Sequence, residues 1–482
     1  MILHSDSSPL YSLLVGTLRG IRGTSYILGL WVLAWTCSPY TATALAQVPK
    51  NGFTKSQAIQ YGLDHHLSSL NALSDIAAAQ AKIKEITSIG LPQVKASYGI
   101  TDNFIIQKVI IPNGKLFNPN APEGPLALEF QPKFGGNTAM TLSQLLFDGT
   151  YLVGLQAAQT FKQIAVKSQE MTHAQISENI QKAYYGVLIG EHRSELMEAS
   201  LARVDSALQE MRVMLSNGLI EKLDVQRLEF QRNQLQTEAG KIHQFRNLAL
   251  QLLKFQMGYP LGDTLVLTDR LESITDLNAE TVPALNINPE SFKARPEAGL
   301  LELQIKGNQL EIKSLQAGYL PSLGLQIQRG ALAGASKFNQ VLDPGGQWFA
   351  YGSVGFGINW NVFDSFNKRY KIQQKRIEQI KNERVLMNFL QASSLQQEQA
   401  VVGMRNALAS LQQQIANQEL SRDILNTTRI KYREGVGSNL EVIQAETSLR
   451  EAQAAYYNSL YEYCIAKVDY LKASGKLTGT ND

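Results

Sequence analysis

The chain has 482 residues, 44% of them hydrophobic and 18% charged, with 45 Lys and Arg against 42 Asp and Glu. That charge share is below the ~25% usual for soluble domains, and a net charge of +3 excludes the strongly basic balance of a nucleic-acid binder. Two cysteines exclude a disulfide framework, and no run of about 18 apolar residues follows the N-terminal segment, which excludes a bundle of membrane-spanning helices.

Residues 1–46 read as an export signal. Arg19 and Arg22 supply a positive region, Tyr26 to Trp35 an apolar core, and Ala44-Leu45-Ala46 a small-x-small cleavage site before Gln47. The apolar core is too short for a membrane anchor. Cys37 has a rival reading as a lipidation site, but its neighbours Ala34, Trp35 and Thr36 fit that poorly. Cleavage after Ala46 leaves Cys464 as the one cysteine of the mature chain.

From residue 47 the spacing predicts a unit written twice. Its first copy, 47–257, opens with a helix over about Thr54 to Ile89, then Leu91-Pro92 and a strand in which Val94, Ala96, Tyr98 and Ile100 alternate with Lys95, Ser97, Gly99 and Thr101. A loop over about 102–136, a second strand over about 137–147, and Phe147-Asp148-Gly149 lead into a helix from about Leu152 to Leu215. Asn217-Gly218 makes a turn, and a shorter helix ends near Gly258. Residues 258–288, with Pro260 and Pro283, read as a linker.

The second copy, 289–477, repeats the order: a helix over about Pro289 to Ala317, Leu320-Pro321, a strand alternating Leu323, Leu325 and Ile327 with Gly324, Gln326 and Gln328, and a loop over about 329–350. The next strand carries Val354, Phe356, Ile358, Trp360 and Val362 on one face, and Phe363-Asp364-Ser365 leads into a helix from about Asn367 to Arg433. Glu434-Gly435 turns into a helix ending near Gly475, and 478–482 is a tail. The hairpins match at an offset of 217: Gly218 with Gly435, Asp224 with Glu441, Glu229 with Glu446, Gly258 with Gly475. A period this long marks duplication of a large unit rather than a solenoid.

Strands of about ten residues with one apolar face have the length and pattern of transmembrane β-strands. A soluble sheet packed on helices has the same pattern; the signal segment and the lack of other apolar segments to cover those faces favour the membrane. Four strands leave two open edges, which lipid cannot satisfy, and a barrel closes only at about eight strands. Several chains must then share one barrel. The long helices, free of proline and nearly free of glycine, would each span roughly 100 Å. Heptad seams run through Ile380, Met387, Val401, Leu408 and Ile415, and through Leu390, Met404, Leu411 and Leu425. In the last helix Val442, Leu449, Tyr456, Tyr463 and Tyr470 face Ala445, Ala452, Ser459, Ala466 and Ala473.

These features in this order, with the Tyr432-Arg433-Glu434-Gly435 turn, resemble the TolC-type outer-membrane efflux protein family across 47–477. The resemblance implies mixed α and membrane-β architecture: a homotrimer in the Gram-negative outer membrane, with a twelve-stranded barrel continuous with a periplasmic α-helical barrel. It implies the exit channel of a tripartite efflux or type I secretion system, coupled by a periplasmic adaptor (membrane fusion protein) to an inner-membrane transporter of RND or ABC type. Outer-membrane lipid is the remaining partner implied, and multidrug, metal-ion and peptide or protein export are all compatible. It also implies a gate at the hairpin tips, with Asp224 and Tyr432 as a latch and Glu441 as an acidic mouth residue. Gly437 and Gln444 stand where the family carries a latching Arg and a second Asp, so Arg433, Lys222 or Arg429 are substitutes to weigh. Helix N-terminal charge is the plainer role for Asp224 and Glu441.

Other chemistry is poorly supported. His65, His66, His173, His192 and His243 show no metal-ligand spacing, and the adjacent His65 and His66 read as surface residues. The glycines of 352–357 lie in a strand, and no G-x-S-x-G or H-E-x-x-H occurs. No enzyme activity, cofactor, metal or nucleic acid is expected. The alternatives are a non-conducting periplasmic coiled-coil adaptor, expected to carry one hairpin, and a structural envelope protein.

Overall fold

A computed structural model describes residues 52–112, 125–269, 271, 295–343 and 345–477. The export signal with Cys37, the linker positions 272–288, residues 113–124 of the first loop and the tail 478–482 lie outside the described residues.

The first predicted helix is two, α1 (Lys55–His65) and α2 (Leu67–Ile89). They part at His66, which is extended and caps both: its N–H donates to Gly62 O, and its ring accepts from Ser68 N. The cause is a backbone crossing. A Cβ on Gly258 would stand 2.9 Å from His66 Cα and 3.0 Å from His65 O, so the chain passes there only as glycine. His65 stacks on Tyr61 at 4.1 Å, and burial holds His66 below the ordinary imidazole range. Both are half-buried, a correction to their reading as surface residues.

β1 (Gln93–Asp102), β4 (Phe134–Phe147), β5 (Ser322–Ala335) and β6 (Trp348–Asn359) form an antiparallel sheet in the order β1-β4-β5-β6. Neither expected loop is wholly irregular. The first holds a hairpin of β2 (Lys108–Ile111) and β3 (Leu126–Glu129). In the second, β5 runs seven residues further and a short helix α6 (Phe338–Leu342) follows. The strand predicted through Val362 ends at Asn359. Beyond it the chain turns sharply, with Ser365 and Phe366 at φ 54° and 64°, and the Trp360 indole donates to Tyr319 O at 3.0 Å. Trp360 and Val362 therefore follow the strand rather than belong to it.

Register sorts the sheet into a mainly apolar face and a more polar one. Val94, Leu142, Ile327 and Val354 align in one cross-strand row, and Tyr98, Thr138, Ala331 and Ala350 in another. The opposite face aligns Lys95, Thr141, Gln328 and Ser353. There Tyr351 Oη donates to Asn137 Oδ1 at 3.3 Å and lies 3.4 Å from Gln328 Nε2. The apolar face is bare: Val354, Phe356 and Ile358 are 66%, 76% and 73% exposed.

Helix α3 (Gly149–Ser216) starts at Asp148, whose carboxylate accepts from the N–H groups of Thr150 and Tyr151. It turns back into α4 (Lys222–Met257). Helix α5 (Pro296–Ala317) opens with proline in its first turn, later than the expected start; 289–294 are outside the described residues. Helix α7 (Asn367–Arg433) and α8 (Asn439–Ala473) form the second hairpin.

Helix α3 is central, packing on α2, α4, α5 and α8, while α7 packs on α5 and α8. Its middle turns are buried all round. Ile176, Ile180, Tyr184 and Val187 meet α1 and α4; Tyr185, Leu188 and Ile189 meet α7 and α8. Such a stretch has no single apolar stripe to show in sequence. Below it, Met197, Val204 and Met211 pack at heptad spacing on Leu228 and Leu235 of α4. Phe53 bridges Leu267, and Asp269 accepts from Lys55 N at 2.8 Å and Tyr184 Oη at 2.9 Å. The start of the described chain is thereby tied to α3.

Candidate functional site: the hairpin tips and the seam between hairpins

Both hairpins turn by the same device. Leu219 N donates to Met214 O and Gly218 N to Leu215 O; Val436 N donates to Lys431 O and Gly435 N to Tyr432 O. This is the double bond pattern that closes a helix on a left-handed residue, and Gly218 and Gly435 have φ of 70° and 74°. Nothing lies within 4 Å of where a Cβ would sit on either, so backbone conformation alone asks for glycine there.

After each turn an acidic residue occupies the third position of the returning helix. Asp224 stands in the first turn of α4 with Arg227 Nη1 at 3.8 Å. Glu441 stands in the first turn of α8, where its N–H donates to the Ser438 hydroxyl at 3.3 Å. Glu441, Gln444 and Arg433 are exposed, while Asp224 and Tyr432 are half-buried. No hydrogen bond joins Tyr432 to Asp224 among the described residues. Gly437 touches the preceding turn: a Cβ would lie 3.1 Å from Tyr432 N and 3.2 Å from Lys431 Cβ.

Sequence reasoning missed the pair that recurs one step inside each tip. Arg212 Nη2 meets Glu229 Oε1 at 2.6 Å, and Arg429 Nη2 meets Glu446 Oε1 at 2.7 Å. The signal was present, since both partners repeat at the same offset of 217. Arg429 is therefore engaged within its own hairpin. The first pair is largely exposed; the second faces the seam between hairpins, beside Arg203, Gln231, Leu425 and Arg450.

Higher on the helices an unrepeated ion network joins the halves. Glu178 accepts from Lys182 at 2.8 Å and Lys472 at 2.6 Å, and Lys182 also meets Asp469 at 2.6 Å. Burial opposes ionisation of Glu178, but the hydrogen bonds and charges of the two lysines outweigh it and hold the carboxyl below the usual range. Buried Arg295 bonds Ser393, Gln396 and Glu297, and lies over the Phe389 ring. No group of His, Cys, Asp and Glu suited to a metal ion occurs among the described residues, and no described helix is long and apolar enough to cross a membrane.

Two long helical hairpins carried on a β-sheet with one bare apolar face are an architecture that solved outer-membrane channels share. The chain has the fold of the Campylobacter jejuni CmeC outer membrane channel (TM-score 0.67, 14% identity, 91% of this chain and 92% of that one). It shares it with the open state of the Neisseria gonorrhoeae MtrE outer membrane channel (0.68, 15%, 89% and 90%) and with CusC (0.68, 15%, 87% and 91%). Residues 295–476 match the family model for outer membrane efflux protein. The resemblance to the TolC-type efflux family is thus a finding, in sequence over that span and in fold over most of the chain. A comparison with curated protein sequences finds no match. The family and these neighbours are channel proteins rather than enzymes.

Proposed function

We propose that the chain is the outer-membrane exit duct of a tripartite exporter, acting as a homotrimer. Three four-stranded sheets would make a twelve-stranded barrel, and three pairs of hairpins a periplasmic tube. One observation carries this reading: the chain is open at both edges. Strands β1 and β6 flank the sheet with unpaired backbone groups, which need a partner strand in lipid. Helices α2 and α4 form one edge of the helical layer and α7 the other. Phe245, Leu248, Leu252 and Phe255 are exposed on α4; Ile377, Ile380, Met387 and Leu395 are exposed on α7. Apolar stripes on both rims suit closure by further copies. Two hairpins, rather than one, weigh against the adaptor.

The apolar sheet face, with Val354, Phe356 and Ile358, would meet lipid, and Trp360 and Val362 would mark the level where barrel becomes tube. A periplasmic adaptor and an inner-membrane RND or ABC transporter would supply coupling and cargo. At the tips, Asp224, Tyr432 and Arg433 would form the contacts that close the tube, and Glu441 would line its mouth with Gln444 beside it. Hydrogen bonds contribute ~0.5–1.5 kcal/mol each, so a threefold set is a closure that adaptor binding can offset. The two halves, 47–257 and 289–477, would be copies of one ancestral unit.

The test is mass and conductance. Protein extracted in detergent should weigh three chains and insert into planar bilayers as a discrete channel. A detergent-independent monomer without conductance overturns the reading. In the inserted channel, Tyr432→Phe with Asp224→Ala should raise single-channel conductance, and an unchanged value removes the latch.

A further inference from the structure

A basic residue stands within the apolar sheet face. Register places Arg329 of β5 between Met140 of β4 and Gly352 of β6, in the row that continues to Ala96 of β1. The row on one side is Val94, Leu142, Ile327 and Val354, and the next on the other is Tyr98, Thr138, Ala331 and Ala350. Arg329 is exposed, and its guanidinium makes no hydrogen bond or ion pair with another described residue. An unpaired guanidinium on a face otherwise built for lipid is costly unless its head reaches the polar boundary.

The outer end of the face shows where that boundary lies. Four residues beyond Gly352, Trp348 stands with its ring 6.3 Å from that of Tyr98. Phe134 and Phe338 stack edge-on there at 5.8 Å, and α6 lies over Gly136 with Val341 fully buried. An aromatic group at the end of an apolar band marks the headgroup level. Lys133 Nζ stands over the Phe134 ring at 5.2 Å, and Lys337 precedes α6. Among the described residues the acids near this end are Asp102, in register with Phe134, Asp343, which follows α6, and Glu129 of β3, which pairs with Lys108 at 3.3 Å. Four strand residues are about 14 Å, or about 10 Å of depth in a tilted strand. A long arginine stem laid along the strand covers most of that, and Gly352 beside it offers no side chain in the way.

We propose that Arg329, with Lys133 and Lys337 above it, binds the phosphate of a lipid headgroup in the outer leaflet. This rests on the apolar face being the lipid face. Guanidinium pairs bidentately with phosphate oxygens, and the surrounding rings supply the contact for the acyl chain below.

The test is lipid retention by the detergent-purified trimer, using lipid A as the bisphosphorylated probe, phosphatidylcholine as the zwitterionic one, and native mass spectrometry as the count. Wild type should keep lipid A in preference to phosphatidylcholine. Arg329→Leu should lower lipid A occupancy about five-fold, the size expected for one cation at a charged lipid surface. Arg329→Lys should fall between, and Lys82→Gln on α2 should match wild type. Equal lipid A retention by wild type and Arg329→Leu, both still trimers in detergent, overturns the site while leaving the channel reading intact. Displacement of lipid A by millimolar inorganic phosphate overturns the lipid as ligand. A chain soluble without detergent overturns both proposals together.

Discussion

Glycine at a left-handed turn and glycine at a close approach have different consequences. Gly435 has open space around it and needs only its positive φ. Gly435→Ala should therefore cost about 1–2 kcal/mol, the left-handed penalty of an L-residue, lowering the thermal midpoint with the fold unchanged. Gly258 has a positive φ and also His66 backbone within 2.9 Å of its missing Cβ, so Gly258→Ala should cost clearly more in the same thermal scan. The turn glycines were legible in sequence because each followed a long periodic run and repeated at one offset. The break at His66 was not, since its cause is a residue 192 positions away. Gly437 is a milder case: a Cβ there would press on the Lys431–Tyr432 turn at 3.1–3.2 Å, with no positive φ to add strain.

Helices show how far periodicity carries. The alternation of Tyr463 with Ala445, Ser459 and Ala473 on α8 corresponds to buried positions, and Ser410 meets Ser459 at 3.0 Å across the hairpin. Leu460, Cys464 and Val468 form a further buried row against α3 and α7, unread because two partners claim two faces of one helix. On α7, Val401, Leu408 and Leu411 are buried as the seams imply, but Ile380 and Met387 are exposed. At those two positions the heptad period continues with no partner on the chain itself, as the proposed assembly requires. The ion network between the halves carries a pH signature. Glu178 is held below its unfolded carboxyl value, so its contribution is present above about pH 4.5 and is lost as pH falls through the lower folded value. Thermal stability should fall between about pH 5 and 3, and Glu178→Gln should be less stable at neutral pH with a flatter acid limb. An equally steep limb in the variant assigns the acid loss to other carboxylates. The Arg212–Glu229 pair near the first tip is exposed enough that it should contribute about 0.2–1 kcal/mol in a double-mutant cycle, stiffening the hairpin without deciding its fold.

At the scale of the whole molecule the chain is an incomplete surface. Its sheet pairs four strands and stops; its helical layer runs from α2 and α4 through α3 and α8 to α7 and stops. The sequence led to the expectation of further copies through strand number and edge chemistry, and it placed the apolar alternation on β1, β5 and β6. It could not show which helix faces lie on the rims, because a stripe buried within the chain and one buried against another copy have the same period. Phe245 and Leu252 decide between those cases. They lie seven apart on α4, 57% and 49% exposed, and neither belongs to the packed cluster that holds Ala249 and Leu253. Aspartate at both positions should leave helix content unchanged, since neither touches the inner core. In an assembled tube it would bury two unpaired carboxylates per seam, each costing several kcal/mol, and all three seams would carry the defect. The expected result is protein with native circular dichroism, the mass of one chain in detergent and no conductance. If the Phe245→Asp, Leu252→Asp protein keeps wild-type mass and conductance, α4 does not form the seam, and the rim that closes the tube must be sought on the exposed leucines of α2.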